Sequence, residues 1–123
     1  MKRKTKGILL ALVPLMVLTS CATTYQREGV FANGYSDFRL KEDTFVITFR
    51  ANEYTPPEKV MQYALKRAAE LTIHSGYRFF TLLDQSDSHL QYPSLRLTIK
   101  CFEHLPPNPD AIDAKNYLAY NGY

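Results

Sequence analysis

The sequence predicts a single two-layer α+β domain, and three observations lead there. Apolar residues alternate with polar ones at Phe45, Ile47 and Phe49 and again at Leu95, Leu97, Ile99 and Cys101, the period of a strand with one buried face. Between these runs, Val60, Met61, Ala64, Leu65, Ala68, Leu71 and Thr72 recur at three- and four-residue steps, the inner stripe of one amphipathic helix. From Cys21 onward the chain has 103 residues, enough for one core without disulfide staples. The order is β-β-α-β-β with a short C-terminal helix, a small sheet with the main helix packed on one face.

Lys2, Arg3, Lys4 and Lys6 open the chain, and an apolar run of 11 residues follows from Ile8 to Leu18. A spanning helix needs roughly 20 residues, and Pro14 weakens a helix here further. Residues 1–20 therefore predict a cleaved signal peptide, with Ser20 and Cys21 flanking the cut. Leu18-Thr19-Ser20-Cys21 resembles the lipobox of bacterial lipoprotein precursors, in which the cysteine is lipidated before cleavage. Ser20 stands where Ala or Gly is the commoner choice. The resemblance implies a membrane anchor on Cys21, and each buried CH₂ of an acyl chain contributes about 0.8 kcal/mol. Ala22 and Thr23 follow the cysteine without an Asp, which resembles lipoproteins sorted to the outer membrane and facing the periplasm.

Without the leader, the 15 basic residues become 11 against 12 acidic ones, so the net charge passes from +3 to −1. The basic balance belongs to the leader, and a nucleic-acid partner loses its electrostatic footprint. Of the 2 cysteines, Cys21 carries the expected lipid, which leaves Cys101 to be protected by burial in phase with Leu95, Leu97 and Ile99. If Cys21 were not lipidated, a Cys21–Cys101 bridge would return as an option.

Residues 21–34, with Thr23, Thr24, Gly29, Asn33 and Gly34, read as a lipidated tether spanning on the order of 20 Å, and residues 35–123 as the domain. A first hairpin runs from Tyr35, Phe38 and Leu40 through Lys41-Glu42-Asp43 into Phe45–Phe49. Thr55-Pro56-Pro57-Glu58 predicts a helix start with Thr55 as N-cap and Glu58 closing a capping box, and Gly76 predicts its end. On this helix Lys59, Lys66, Arg67 and Glu70 are expected to stay largely outside. Tyr77–Leu83 is apolar on both phases and predicts a central strand, Asp84–Ser94 a polar turn, and Leu95–Cys101 an antiparallel partner with Arg96, Thr98 and Lys100 outward. Asn108 and Pro109 are expected to cap and start the last helix, with Asp110 and Asp113 in its first turns. Whether the two hairpins meet through a parallel or an antiparallel pair is left open by the pattern.

Gly34-Tyr35-Ser36-Asp37, Phe49-Arg50-Ala51-Asn52, Thr55, Arg67-Ala68-Ala69-Glu70-Leu71-Thr72 and Gly76-Tyr77 resemble a family of small bacterial envelope lipoproteins of unassigned activity, over roughly residues 34–80 with an echo at Asp113-Ala114. Ala51 and Ile112 depart from the glycine and the aromatic expected at those places. The resemblance implies location and domain type and carries no catalytic residue.

His74, His89 and His104 share no ligand spacing, and no HExxH, cysteine pair, GxSxG or glycine-rich phosphate loop is present, so neither an enzyme, a metal site nor a cofactor is expected. The positions singled out for ligand or partner contact are Tyr35, Asp37, Arg67 and Glu70, together with Tyr117 and Tyr120 of the tyrosine-bearing tail. Each also has a simpler structural use: Asp37 near local backbone, Arg67 and Glu70 as an i,i+3 pair worth a few tenths of a kcal/mol, the tail tyrosines as cover for the sheet. The expected function is that of an envelope lipoprotein, structural or accessory, that binds another envelope protein. A binder of peptidoglycan or of a small periplasmic ligand is the alternative.

Overall fold

A computed structural model describes residues 25–28, 33–88 and 92–121. Ser20, Cys21, His89 and Tyr123 lie outside the described residues, and with them the expected signal peptide and lipidation site.

The first hairpin forms as the alternation predicts. β1 (Gly34–Lys41) pairs antiparallel with β2 (Thr44–Arg50), setting Tyr35 opposite Phe49, Asp37 opposite Ile47 and Arg39 opposite Phe45. β3 (Phe79–Ser88) and β4 (Ser94–Phe102) pair antiparallel, and β2 pairs antiparallel with β4, which settles how the hairpins meet. With the two-residue β5 (Ile112–Asp113) the five strands run in the order β1-β2-β4-β3-β5. The architecture is α+β, with α1 (Pro57–His74) against one face of the sheet and the short α2 (Ala114–Tyr120) beside it.

The central strand is β4 rather than the doubly apolar β3. The reason lies in β3 itself: Phe80 is fully buried opposite Cys101, but the register slips between Leu82 and Asp84, and Leu82 and Leu83 are exposed. Such a bulge leaves a residue out of the ladder and lets the strand bend. β3 then continues to Ser88, taking in half of the expected Asp84–Ser94 turn.

Fully buried Phe49, Ile47, Leu97, Ile99 and Phe80 form the floor of the core, each worth about 1.5–3 kcal/mol of transfer free energy. Ala64, Ala68 and Ala69 of α1 have no exposed surface, so the helix can lie close over that floor. Cys101 is buried as its phase with Leu95, Leu97 and Ile99 requires. Its thiol pKa is pushed up by burial, against a partial offset from the Thr72 hydroxyl 3.4 Å away, which keeps it protonated.

Of three helix-terminus expectations, the one at Gly76 is met and two are corrected. The residue preceding α1 is Pro56, which carries no capping side chain, so Thr55 stands one place outside the N-cap position expected for it. Thr55 is buried, and its hydroxyl donates to Asn52 Oδ1 at 3.0 Å while its amide donates to the Asn52 carbonyl at 3.2 Å. Thr55 is thereby tied into a local turn that precedes the helix. At the other end Gly76, with φ +90°, donates to the Ile73 carbonyl and Tyr77 to the Thr72 carbonyl, a complete Schellman motif. The last helix begins at Ala114, not Pro109. Asn108 Oδ1 instead accepts from the Asp110 amide in a turn, and Asp113 is the cap, accepting from the Asn116 amide at 3.1 Å.

Candidate functional site

The site residues expected from sequence fall into two groups. Tyr35, Asp37, Arg67 and Glu70 are brought together where β1 meets α1, through the following contacts. Asp37 stands on the helix-facing side of β1, because its partner Ile47 faces the core. Its Oδ2 accepts from Arg67 Nε at 2.7 Å, and Arg67 Nη1 lies 3.5 Å from Glu70 Oε1. Arg67 is therefore buried, contrary to the expectation that it stays outside. Burial opposes its charge, but the Asp37 hydrogen bond and charge, with Tyr35 and Tyr25 adding, hold its pKa above that of an ordinary arginine.

Residues 25–28 are not the free tether that sequence suggested. The Tyr35 amide donates to the Gln26 carbonyl at 2.7 Å, the Glu28 amide to the Tyr35 carbonyl at 2.6 Å, and Arg27 bridges Tyr35 in parallel. Tyr25 stacks on Tyr35 with ring centroids 5.0 Å apart, meets Tyr63 at 5.7 Å, and donates its hydroxyl to Glu70. Its hydroxyl pKa rises well above the ordinary tyrosine value, through burial first and then the Glu70 bond and charge. Tyr63 continues the contact to core Phe49 at 5.2 Å.

Gly34 makes this docking feasible. Its φ is +115°, and a Cβ there would run into the Gln26 carbonyl oxygen and stand 3.0 Å from the Arg27 carbonyl carbon. Any side chain would therefore push the segment away. Tyr25 and Tyr63 were not singled out from sequence. The stripe pattern placed Tyr63 on neither face, and only the close approach allowed by Gly34 brings Tyr25 in.

Cations lie over the rings. Lys66 Nζ is 4.1 Å from the Tyr25 centroid, Arg67 Cζ 4.5 Å and Arg27 Cζ 5.3 Å from Tyr35, and Lys59 Nζ 5.9 Å from Tyr63. The acids nearby are engaged within the protein: Asp37 with Arg67, Glu70 with Arg67 and Tyr25, and Glu28 with Arg50. The acids of the cluster are thus engaged by partners within the fold.

Tyr117 and Tyr120 do not join this cluster. Tyr117 packs partly against the core, and Tyr120 is 88% exposed. Asp113 is claimed by Arg78, which reaches it at 3.0–3.2 Å. The Arg78 hydrogen bond leads the lowering of the Asp113 pKa, against a smaller opposing effect of burial.

Depressions elsewhere are formed by other described residues. A shallow groove of about 630 Å³ is lined by Lys41, Glu42, Asp43, Tyr77, Phe102 and His104, among others. Burial and the charges of Glu42 and Asp43 raise the Tyr77 hydroxyl pKa there. A cleft of about 150 Å³ sits between the start of α1 and β3, below the usual range for a small-molecule site. Among the described residues no group of three or more His, Cys, Asp or Glu is placed to hold a metal ion, and no helix is long and apolar enough to cross a membrane.

The sheet face opposite α1 has no layer over it among the described residues. The row Phe38-Val46-Thr98-Asp84 crosses it. Phe38 is 57% and Leu40 55% exposed, both on the outer strand β1. Comparison of the chain with family models, curated proteins and solved structures finds no match.

Proposed function

We propose that this chain is a lipid-anchored protein of the bacterial envelope, held by acyl chains on Cys21 at the outer membrane, whose domain docks another envelope protein at the outer edge of β1. The observation that carries the docking is that edge: beyond the Arg27–Tyr35 bridge no strand pairs with it among the described residues, and Phe38 and Leu40 stand exposed along it. An edge strand with apolar side chains is a template for strand addition from a partner. Arg39 and Lys41 flank Leu40, and the register slips between them, a device that discourages indiscriminate pairing. The partner strand that fits alternates apolar and acidic residues. The envelope location is supported by Leu18-Thr19-Ser20-Cys21 and the short apolar leader before it.

A photo-crosslinking residue at Phe38 in living cells tests the docking. A discrete adduct with one envelope protein, lost when Leu40→Glu is added, is the expected outcome; absence of any adduct at Phe38 refutes it. Mass spectrometry of the mature N-terminus tests the anchor, with an acylated Cys21 expected and an unprocessed Cys21→Ser precursor as its control. The groove beside Tyr77 and Phe102 favours the second reading, a binder of peptidoglycan fragments. Shifts of Tyr77 and Phe102 resonances on adding muropeptides, with no crosslink at Phe38, would select it.

A further inference from the structure

We infer that the mature protein lies with its Tyr25 and α1 side against an anionic phospholipid surface, which turns the sheet face opposite α1 away from the bilayer. The inference rests on the acylation of Cys21 proposed above. Four residue steps separate Cys21 from Tyr25, and a fully extended chain covers at most about 14 Å in that length. Tyr25 is no longer part of a tether: its ring stacks on Tyr35, its hydroxyl is bonded to Glu70, and the backbone just beyond it pairs with Tyr35. A domain of this size is on the order of 30 Å across. An anchor that short, attached at a fixed point, brings only the side around Tyr25 to the lipid.

The chemistry of that side fits a headgroup layer. Tyr25, Tyr35 and Tyr63 supply amphipathic rings of the kind enriched at membrane interfaces. Arg27, Lys59 and Lys66 lie over these rings. Lys59, Tyr63, Lys66 and Glu70 recur at four- and three-residue steps along α1, hence on one helix face. Glu70 is engaged by Arg67 and Tyr25, Asp37 by Arg67 and Glu28 by Arg50, so the acids of this side are offset by internal pairing. Glu58, the acid in the first turn of α1, is about 100° round the helix from Lys59. Each basic side chain held at an anionic surface strengthens attraction on the order of fivefold at moderate salt.

The test uses the acylated protein in vesicles of phosphatidylcholine with phosphatidylglycerol, carrying a fluorophore at Gln62→Cys or at Ser86→Cys. Gln62 is exposed on α1, and Ser86 is exposed on the open sheet face opposite Arg96. A quencher attached to lipid headgroups should dim the Gln62 label severalfold more than the Ser86 label. The difference should shrink in vesicles of phosphatidylcholine alone, and with Lys59→Glu plus Lys66→Glu, while the protein stays vesicle-bound. Equal quenching at both labels on an acylated, vesicle-bound chain overturns this inference and leaves the anchor standing. A mature chain with no acyl mass on Cys21 overturns both.

Discussion

Replacing Arg67 by methionine is the most direct probe of the cluster joining β1 to α1. The side chains of Arg67 and Asp37 are 11% and 13% exposed, so the pair is nearly dry. Losing one partner of a fully buried ion pair costs about 3–5 kcal/mol, mostly because the other charge is stranded. The remaining exposure of Asp37 lets water return, which brings the expected cost to about 2–3 kcal/mol. The second contact, Glu70 at 3.5 Å, adds only a few tenths. Methionine retains the apolar bulk of the arginine stem, so the loss reports charge rather than a cavity. In urea unfolding, with m on the order of 1–2 kcal/mol/M, the midpoint should fall by about 1–3 M at unchanged m. Asp37→Leu combined with Arg67→Met should recover to within about 1 kcal/mol of the parent, because no charge is then stranded. An unchanged midpoint for Arg67→Met, or a double variant as unstable as the sum of the single changes, would refute the assignment.

Gly34→Ala should cost about 2 kcal/mol or more and remove amide protection at Tyr35 and Glu28 in hydrogen exchange. Gly76→Ala, with positive φ but open space around it, should cost only about 1 kcal/mol. Equal losses would remove Gly34 from its role in seating residues 25–28. Thr55→Ala should cost about 1 kcal/mol through its bond to Asn52, and Asn52→Ala should add little to it in a double-mutant cycle; full additivity would show that Thr55 acts elsewhere. Asp113 has a folded pKa below its unfolded value of about 3.9, so its stabilisation is present above about pH 4 and is lost as pH falls through the folded pKa. The gap in unfolding midpoint between the parent and Asp113→Asn should therefore close on acidification, and a gap that widens contradicts the Arg78 pairing.

What the sequence made legible was whatever one residue spacing decides. The stripe from Val60 to Leu71 and the alternation at Phe45–Phe49 and Leu95–Cys101 each need only a period and a buried side, and the core follows them. Gly76 was equally plain, since a helix end that needs positive φ leaves few other residues to choose. The exact helix entry was not legible: Thr55 bonds back to Asn52, and α1 takes Pro56 as its N-cap. β3 misled because a doubly apolar run suggests two covered faces, whereas the slip at Leu83 spends that residue on a bulge. The cluster was legible only by halves. Arg67 and Glu70 are visible as an i,i+3 pair, but Asp37 lies 30 residues away from Arg67, and no spacing rule reports the pairing register that aligns them.

Gly34 shows how a single backbone conformation changes the mechanics of the whole molecule. Taken as part of a tether running from Cys21 to residue 34, it would leave the domain on a flexible lead with a mean span on the order of 20 Å. With Tyr25 seated on Tyr35, only residues 22–24 separate the cysteine from the folded body, and their reach of about 14 Å is less than half the breadth of the domain. Under the proposed acylation of Cys21, a domain so held cannot roll over, so what it shows to the bilayer and what it shows to the aqueous side are set by the fold and not by the lead. The one main helix layer, with Lys59 and Lys66 on it, takes the first position. The sheet face opposite α1, with Phe38 on it, takes the second. Loosening Gly34 should therefore weaken the proposed docking at Phe38 without altering Phe38 or Leu40, because the sheet face that carries Phe38 would no longer be held facing outward.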